Sequence, residues 1–360
     1  MKSTGENRDE NVEGALLIQN VAVIGAGSWG TALASVLAKN GHQVTLWVRD
    51  ARLADEVNQT HRNQKYLPEA ILPANIVATA SLEEAVSGVP VVLLAVPSHA
   101  MRQVCKSMAA YLDPEVWLLH ATKGFELESL KRMSEVITEE LPPEIASRLA
   151  VLTGPSHAEE VVCEQPTTVV VASESEESLL RAQDLLMNQN FRVYTNPDLV
   201  GAEIAGALKN IIALGAGMSD GLGYGDNAKA ALLTRGLAEI SRLGIKLGAM
   251  PLTFSGLAGV GDLIVTCTSK HSRNWRAGYM LGQGKKLEEV LEQMGMVVEG
   301  VRTTHAAYAL AEREQVEMPI TQVLYGILFE GKTARQGVEE LMGRGKTFEM
   351  SYLNPDADRS

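Results

Sequence analysis

From Asn20 to about Asn196, short apolar runs alternate with stretches of helical pattern. The runs are Val21–Ile24, Val44–Val48, Val89–Val96, Val116–Ala121, Ala150–Thr153 and Thr168–Ala172, rich in Val and Ile and nearly continuous. Runs of that kind fit strands buried on both faces, as in a parallel sheet. Between them, Thr31–Lys39, Ser98–Leu112, Glu126–Leu141 and Ser175–Met187 are long enough to be crossover helices. Ser81 followed by Glu84 is a capping-box start, and Gly41 stands where the first helix should be capped at its C-terminus. The pattern predicts an α/β fold with a doubly wound sheet of Rossmann type.

After about Leu199 the texture changes. Val200–Met218 is small and apolar, Lys229–Leu247 is amphipathic, and Leu287–Met294, Thr303–Glu314, Ile320–Glu330 and Thr333–Met342 favour helix. An all-α C-terminal domain follows. The predicted division is a polar, disordered tail over 1–19, the sheet domain over 20–198, the helical domain over 199–345 and a loose tail over 346–360. A length of 360 residues suits two domains at roughly 150 residues each.

Charge and cysteine content narrow the function. A net charge of −12 without a long basic run argues against nucleic acid or an anionic membrane surface as partner. An anionic substrate would need a local cationic pocket. Cys105, Cys163 and Cys267 are odd in number and widely spaced, so neither a disulfide framework nor a zinc site is expected, and a reducing cytoplasm fits. No His-x-x-x-His occurs, so no metal is expected. Gly14–Ala38 is uncharged, but its Gln, Asn, glycines and hydroxyls read as strand, turn and helix rather than a membrane span.

Gly25-Ala-Gly27-Ser28-Trp29-Gly30 follows the first strand and opens the first helix. In that context Gly25 permits the tight turn, Gly27 lets the backbone approach a pyrophosphate, and Gly30 lets helix and strand pack closely. The pyrophosphate would rest on the helix N-terminus. The end of the second strand offers both Arg49, suited to the 2′-phosphate of NADP, and Asp50, suited to the ribose hydroxyl of NAD. Arg49 continues the strand directly, so NADPH is expected with NADH tolerated.

Ligands of such sheets bind beyond the carboxyl ends of the strands. Three strand ends stand out there: Val96-Pro97-Ser98, Thr122-Lys123-Gly124 and Thr153-Gly154-Pro155-Ser156. Lys123 could hold a carbonyl oxygen or a phosphate, or snorkel to the surface. Lys209 interrupts a helix that is apolar nearly all round. Desolvation there would lower its pKa and make it a proton donor and acceptor for alcohol–ketone chemistry. A purely structural pairing with Glu203 or Asp262 is the other reading. Ser272-Arg273-Asn274 offers a forked cation and amide donors for a phosphate, or is simply an exposed basic turn. Asp262, within Gly259-Val-Gly261-Asp262, could orient Lys209 or a substrate hydroxyl, or cap a helix.

Taken together, Gly25–Gly30, Ala121-Thr-Lys-Gly124, Gly154-Pro-Ser-His-Ala158, Leu208-Lys-Asn210, Gly259–Asp262, Ser272–Asn274 and Val297-Val-Glu-Gly300 closely resemble the bacterial NAD(P)-dependent glycerol-3-phosphate dehydrogenases, over about Val21–Lys346. The resemblance implies reduction of dihydroxyacetone phosphate to sn-glycerol 3-phosphate, the backbone of glycerophospholipids. It implies Lys209 as proton acceptor, with Lys123 touching cofactor and substrate. Gly154, Ser156, Asp262, Ser272, Arg273 and Asn274 then fall at substrate positions. Ser28, Trp29, Arg49, Ala158, Val297 and Glu299 fall at cofactor positions, with Arg273 shared, and Thr266 and Asn210 are further contacts. Ser156, where threonine is frequent, and Arg49, where histidine also occurs, are mild departures. A β-hydroxyacid dehydrogenase of the same plan is the alternative enzyme, disfavoured by the phosphate-type donors at Ser272–Asn274. The expected partner is a small phosphorylated molecule, with no integral membrane association and with a homodimer among the admissible assemblies.

Overall fold

The computed structural model describes residues 18–346 and 349. The tails expected over 1–19 and 346–360 lie almost wholly outside those residues.

Among the described residues, eight strands form one sheet: β1 Asn20–Ile24, β2 Gln43–Trp47, β3 Ile76–Thr79, β4 Val91–Leu94, β5 Trp117–His120, β6 Leu149–Thr153, β7 Thr167–Ala172 and β8 Phe191–Asn196. Their order is β3-β2-β1-β4-β5-β6-β7-β8. The inner strands are buried throughout, because helices cover both faces. Strand order reverses between β1 and β4, which opens a crevice at the carboxyl end of β1.

Three features differ from the sequence-based expectation. The sheet is not wholly parallel: β7 runs antiparallel to β6, pairing Thr153 with Val170, and β8 runs parallel to β7. The link from β6 to β7 stays at the carboxyl edge, carrying only the short helix Ala158–Val162, so the chain returns in the opposite direction. An apolar run carries no information about its direction. Second, β3 and β8 were not expected. Both are edge strands in which buried Ile76, Ala78, Phe191 and Val193 alternate with exposed Val77, Arg192 and Tyr194, so neither shows a continuous apolar run.

Third, the helix expected over Glu126–Leu141 spans only Met133–Glu140. Upstream, Phe125 bridges Arg132 and Leu130 adopts φ 59°, while Glu126 is taken up by Arg102 at 2.7 Å. The alternative reading of Ser272–Asn274 as an exposed basic turn does not hold: Arg273 opens the helix Arg273–Gly282. Other local signals hold. Ser81 accepts from the backbone N–H of Glu84, and Gly41 takes φ +93° just past the cap of the helix Ser28–Lys39.

The helix Leu199–Gly221 runs through the centre of the helical half, buried from Gly201 to Ser219. It is long and apolar enough to cross a membrane by length and composition, but it is a core helix, with 89% of its most apolar window inside the protein. Asp198 caps it, accepting from the N–H of Gly201 at 2.8 Å. Its small residues let another helix approach backbone to backbone. A Cβ on Gly217 would lie 2.0 Å from the Trp275 carbonyl oxygen, and one on Gly278 would lie 2.0 Å from that of Leu214. That contact sets Arg273–Gly282 directly against the central helix and fixes the geometry of the site.

Candidate functional site

The glycine turn has the form its spacing implies. Gly25 adopts φ +115°, where a Cβ would also strike the Ala95 carbonyl oxygen at 2.6 Å. A Cβ on Gly30 would lie 1.9 Å from the Gly25 carbonyl oxygen, so the helix closes onto the turn only with glycine there. Gly27 is different: a Cβ would meet nothing within 4 Å. Its freedom is toward open space, as a cradle for an approaching ligand requires. The helix that begins at Ser28 has no side-chain cap, which leaves its first-turn N–H groups available to an anion. Ser28 donates its hydroxyl to the Tyr66 carbonyl at 2.7 Å, and the indole N–H of Trp29 is buried with no partner among the described residues. This turn fits a dinucleotide pyrophosphate. Arg49 is exposed at the end of β2, whereas Asp50 caps the helix Ala51–Thr60 and pairs with Arg52 at 3.2 Å.

Four elements converge at the carboxyl edge next to this turn. Lys123 follows β5, Thr153 ends β6 with Gly154 next, Lys209 lies in the central helix, and Asp262 opens the helix Asp262–Thr268 after a widened turn over Leu257–Gly261. The Asp262 carboxylate bridges two amines. One oxygen accepts from Lys209 Nζ and the other from Lys123 Nζ at 2.7 Å. Lys209 also donates to Thr266 Oγ1 at 2.8 Å, and Lys123 lies 3.4 Å from the Gly154 carbonyl. A Cβ on Gly206 would sit 2.8 Å from Thr153 Oγ1, so the central helix reaches the strand end only because that position is glycine.

Asp262 is 1% exposed and Lys209 6% exposed, so the cluster is desolvated. Burial pulls the Lys209 amine down; Asp262 opposes this and Lys123 reinforces it, leaving it at about 7. Burial alone would push the Asp262 carboxyl up, but the two lysines outweigh it and hold it below the usual range. Nearby Cys267 is a neutral thiol, pushed up to about 12 by burial. When both amines are protonated, two cations share one anion and the cleft carries a surplus of positive charge.

The other predicted residues surround this cluster. Ser272 is buried and caps the helix Arg273–Gly282, accepting from the N–H of Trp275. Arg273 is exposed at that helix start. Asn274 is held from two sides: Nδ2 donates to Asn210 Oδ1 at 2.9 Å, and Oδ1 accepts from the Gly300 N–H at 2.8 Å. Ser156 folds back on the Gly154 carbonyl at 3.0 Å. Ala158 opens its short helix, and Val297 is half-exposed just before the helix Glu299–Glu314. Glu299 crosses from the helical half to the sheet, accepting from Ser98 Oγ at 3.3 Å. Burial pushes its carboxyl up, against Ser98, Arg302 and Arg273.

Of Lys209's two possible partners, the structure selects Asp262. Glu203 faces the other way, receiving the Ser134 N–H at 2.7 Å and Arg132 at 2.5 Å. Sequence reasoning assigned no role to Ser98 or Thr153, whose only signal was their place at strand ends. Thr153 Oγ1 lies 3.4 Å from Asp262 Oδ2.

Comparison with known proteins gives a consistent picture. Residues 20–179 match the N-terminal family model of NAD-dependent glycerol-3-phosphate dehydrogenase, and 198–339 match the C-terminal one. A glycerol-3-phosphate dehydrogenase (NAD(P)+) of Bacillus velezensis is 58% identical over 336 residues, 93% of this chain and 97% of its own. That of Halalkalibacterium halodurans is 60% identical over 337 residues, 94% and 97% of the two chains. The crystal structure of glycerol-3-phosphate dehydrogenase from Coxiella burnetii superposes with a TM-score of 0.86 at 39% identity, covering 91% of this chain and 99% of its own. A glycine turn that fits a pyrophosphate, a buried carboxylate bridging Lys209 and Lys123 beside it, and these matches along both halves lead to one conclusion: the chain belongs to the NAD-dependent glycerol-3-phosphate dehydrogenase family.

Proposed function

We propose that this chain reduces dihydroxyacetone phosphate to sn-glycerol 3-phosphate, and catalyses the reverse, with Lys209 giving and taking the proton at the C2 oxygen. The observation that carries this reading is the buried Lys209 amine on Asp262, which also holds the part-buried Lys123 amine, at the carboxyl edge of the sheet. A bound reduced nicotinamide supplies the hydride to C2. Lys209 contributes the proton. At about 7, its amine populates both protonation states near neutrality, which suits a general acid–base. As ammonium it donates to the oxygen that gains charge at C2; as neutral amine it takes the hydroxyl proton in the reverse direction. Asp262 positions both amines, and Lys123 directs a second set of N–H donors at the same oxygen.

For the substrate phosphate, Arg273 provides a forked cation at a helix start, where the dipole also favours negative charge. Asn274 keeps one amide hydrogen beyond its bond to Asn210. The coenzyme rests on Gly25, Gly27 and Gly30 with Ser28, Trp29, Ala158, Val297 and Glu299 around it. NADPH is the preferred coenzyme, with NADH accepted. The engagement of Asp50 as a helix cap supports this, because it leaves Arg49 as the open side chain at the end of β2. In this reading, residues 20–198 hold the coenzyme, and 199–345 carry the proton donor and the phosphate donors. Three free cysteines suit a reducing cytoplasm.

The test follows the absorbance of the reduced nicotinamide with dihydroxyacetone phosphate, using NADPH and NADH in turn. Oxidation should depend on the ketone and show a higher kcat/KM with NADPH. No dependence on the ketone would refute the activity. An equal or higher kcat/KM with NADH would refute the coenzyme preference alone.

A further inference from the structure

The sheet and the helical half bring three nitrogen-bearing side chains to one corner beside the glycine turn. β2 and β4 flank β1, and the register sets Trp47 and Leu94 both level with Ile24. Arg49 and His99 thus stand past the same edge, on either side of Gly25–Gly30. The third group arrives from the helical half. Arg302 follows Glu299 by three residues on the helix Glu299–Glu314, one turn along the same face. Glu299 meets Ser98 at 3.3 Å, so this face is pressed against the turn Ser98–Ala100 that follows β4, where His99 is the next residue.

Two observations mark the corner as made for an anion. The Nε of Arg302 is buried with no hydrogen-bond partner among the described residues, a donor left without an acceptor. The imidazole of His99 is drawn below its ordinary value first by burial and then by the positive charges of Arg302 and Arg49, in keeping with the convergence of these residues past the strand ends. Two cations around one imidazole repel one another, and a bound anion relieves the repulsion while giving the buried N–H an acceptor. In sheets of this kind the end of β2 faces the adenosine ribose, whose 2′ substituent separates the two coenzymes.

We propose that Arg302 is a coenzyme-specificity residue: with Arg49 it holds the 2′-phosphate of NADPH, so that the helical half closes over the nucleotide end of the site. This rests on the coenzyme preference argued above and adds a residue from the opposite half of the chain.

The test compares wild type, Arg302→Gln, Arg302→Lys and Arg49→Gln in the full-length protein. It measures KM for NADPH and for NADH, and competition by 2′,5′-ADP and by 5′-AMP. Arg302→Gln should raise the ratio of KM for NADPH to KM for NADH about tenfold or more, the scale of one lost hydrogen bond to a charged group. It should also cancel most of the advantage of 2′,5′-ADP over 5′-AMP, and Arg302→Lys should restore part of both. An unchanged ratio overturns the proposal. So does an equal rise for both coenzymes, which would make Arg302 a contact to the shared diphosphate or a prop for Glu299. If Arg49→Gln abolishes the preference and Arg302→Gln does not, the coenzyme reading stands and this inference falls. If wild type binds 2′,5′-ADP no better than 5′-AMP, both fall.

Discussion

Two buried carboxylates lie against the same helix and do opposite things. Glu203, within Leu199–Gly221, accepts from the Ser134 N–H at 2.7 Å, the Ser134 hydroxyl at 2.5 Å and Arg132 at 2.5 Å, with His120 Nε2 lying 3.2 Å away. These partners come from β5 and the start of the helix Met133–Glu140, so Glu203 pins the helical half to the sheet. Burial would push its carboxyl up, but His120, Arg132 and Ser134 outweigh it and hold it at about 2. Asp262 instead receives two lysines, and it is the lysine that is left near neutrality. A charge that never changes at working pH can only hold elements together. A proton poised near pH 7 can be moved. The difference lies in the balance of donors and charges, because both sites are equally dry.

Substitutions can break that contrast, beginning with the largest effect. Lys209→Met should lower turnover by about 10²-fold or more while NADPH still binds, as read by steady-state rates and a fluorescence titration. Near-normal turnover would end the case for Asp262 as the catalytic cluster. Arg273→Ala should raise KM for the phosphorylated ketone by roughly ten- to a hundredfold, the scale for a lost charge-assisted hydrogen bond, with a smaller change in kcat. An unmoved KM would exclude Arg273 from the phosphate site.

Glu203→Gln should behave in the opposite way. Denaturant unfolding at pH 7 should show a loss of ~3–5 kcal/mol, as for one partner removed from a buried ion cluster, with kcat within about twofold of wild type. Because the folded value lies below the ordinary 4.5, the stabilisation by Glu203 is complete above about 4.5 and is lost as pH falls toward 2. The gap between wild type and variant should narrow over that window. A constant gap would mean that the charge of Glu203 contributes nothing to the joint.

The smallest effect is a shift in profile. Oxidation of the alcohol needs neutral Lys209, so its rate should rise with pH through about 7, while ketone reduction, which needs the ammonium, should fall. Asp262→Asn removes the charge that raises the Lys209 value, and both midpoints should move to lower pH. Midpoints that stay in place would show that another group titrates.

Much of this architecture is legible residue by residue. The glycine turn is local: its three glycines answer to backbone angle, ligand approach and helix closure within six positions, so spacing alone specifies it. Lys209 is equally legible, because an amine in a helix that is apolar nearly all round has no cheap route to water. Edge strands β3 and β8 were not, since they bury one face only and lack the continuous runs of their neighbours. The helix start at Arg273 was hidden because Ser272-Arg273-Asn274, a serine followed by a cation and an amide, reads equally as an exposed turn.

Periodicity and local backbone demands, carried in contiguous residues, were enough to specify the dinucleotide turn, the helical half and the presence of a desolvated amine. Folding alone decided that the amine would meet Asp262 rather than Glu203, that Asp50 would be consumed as a cap, and that β7 would run backward. Each of these depends on which distant groups reach one another first in space, and pairing between residues 53 positions apart leaves no trace in either one's neighbours along the chain.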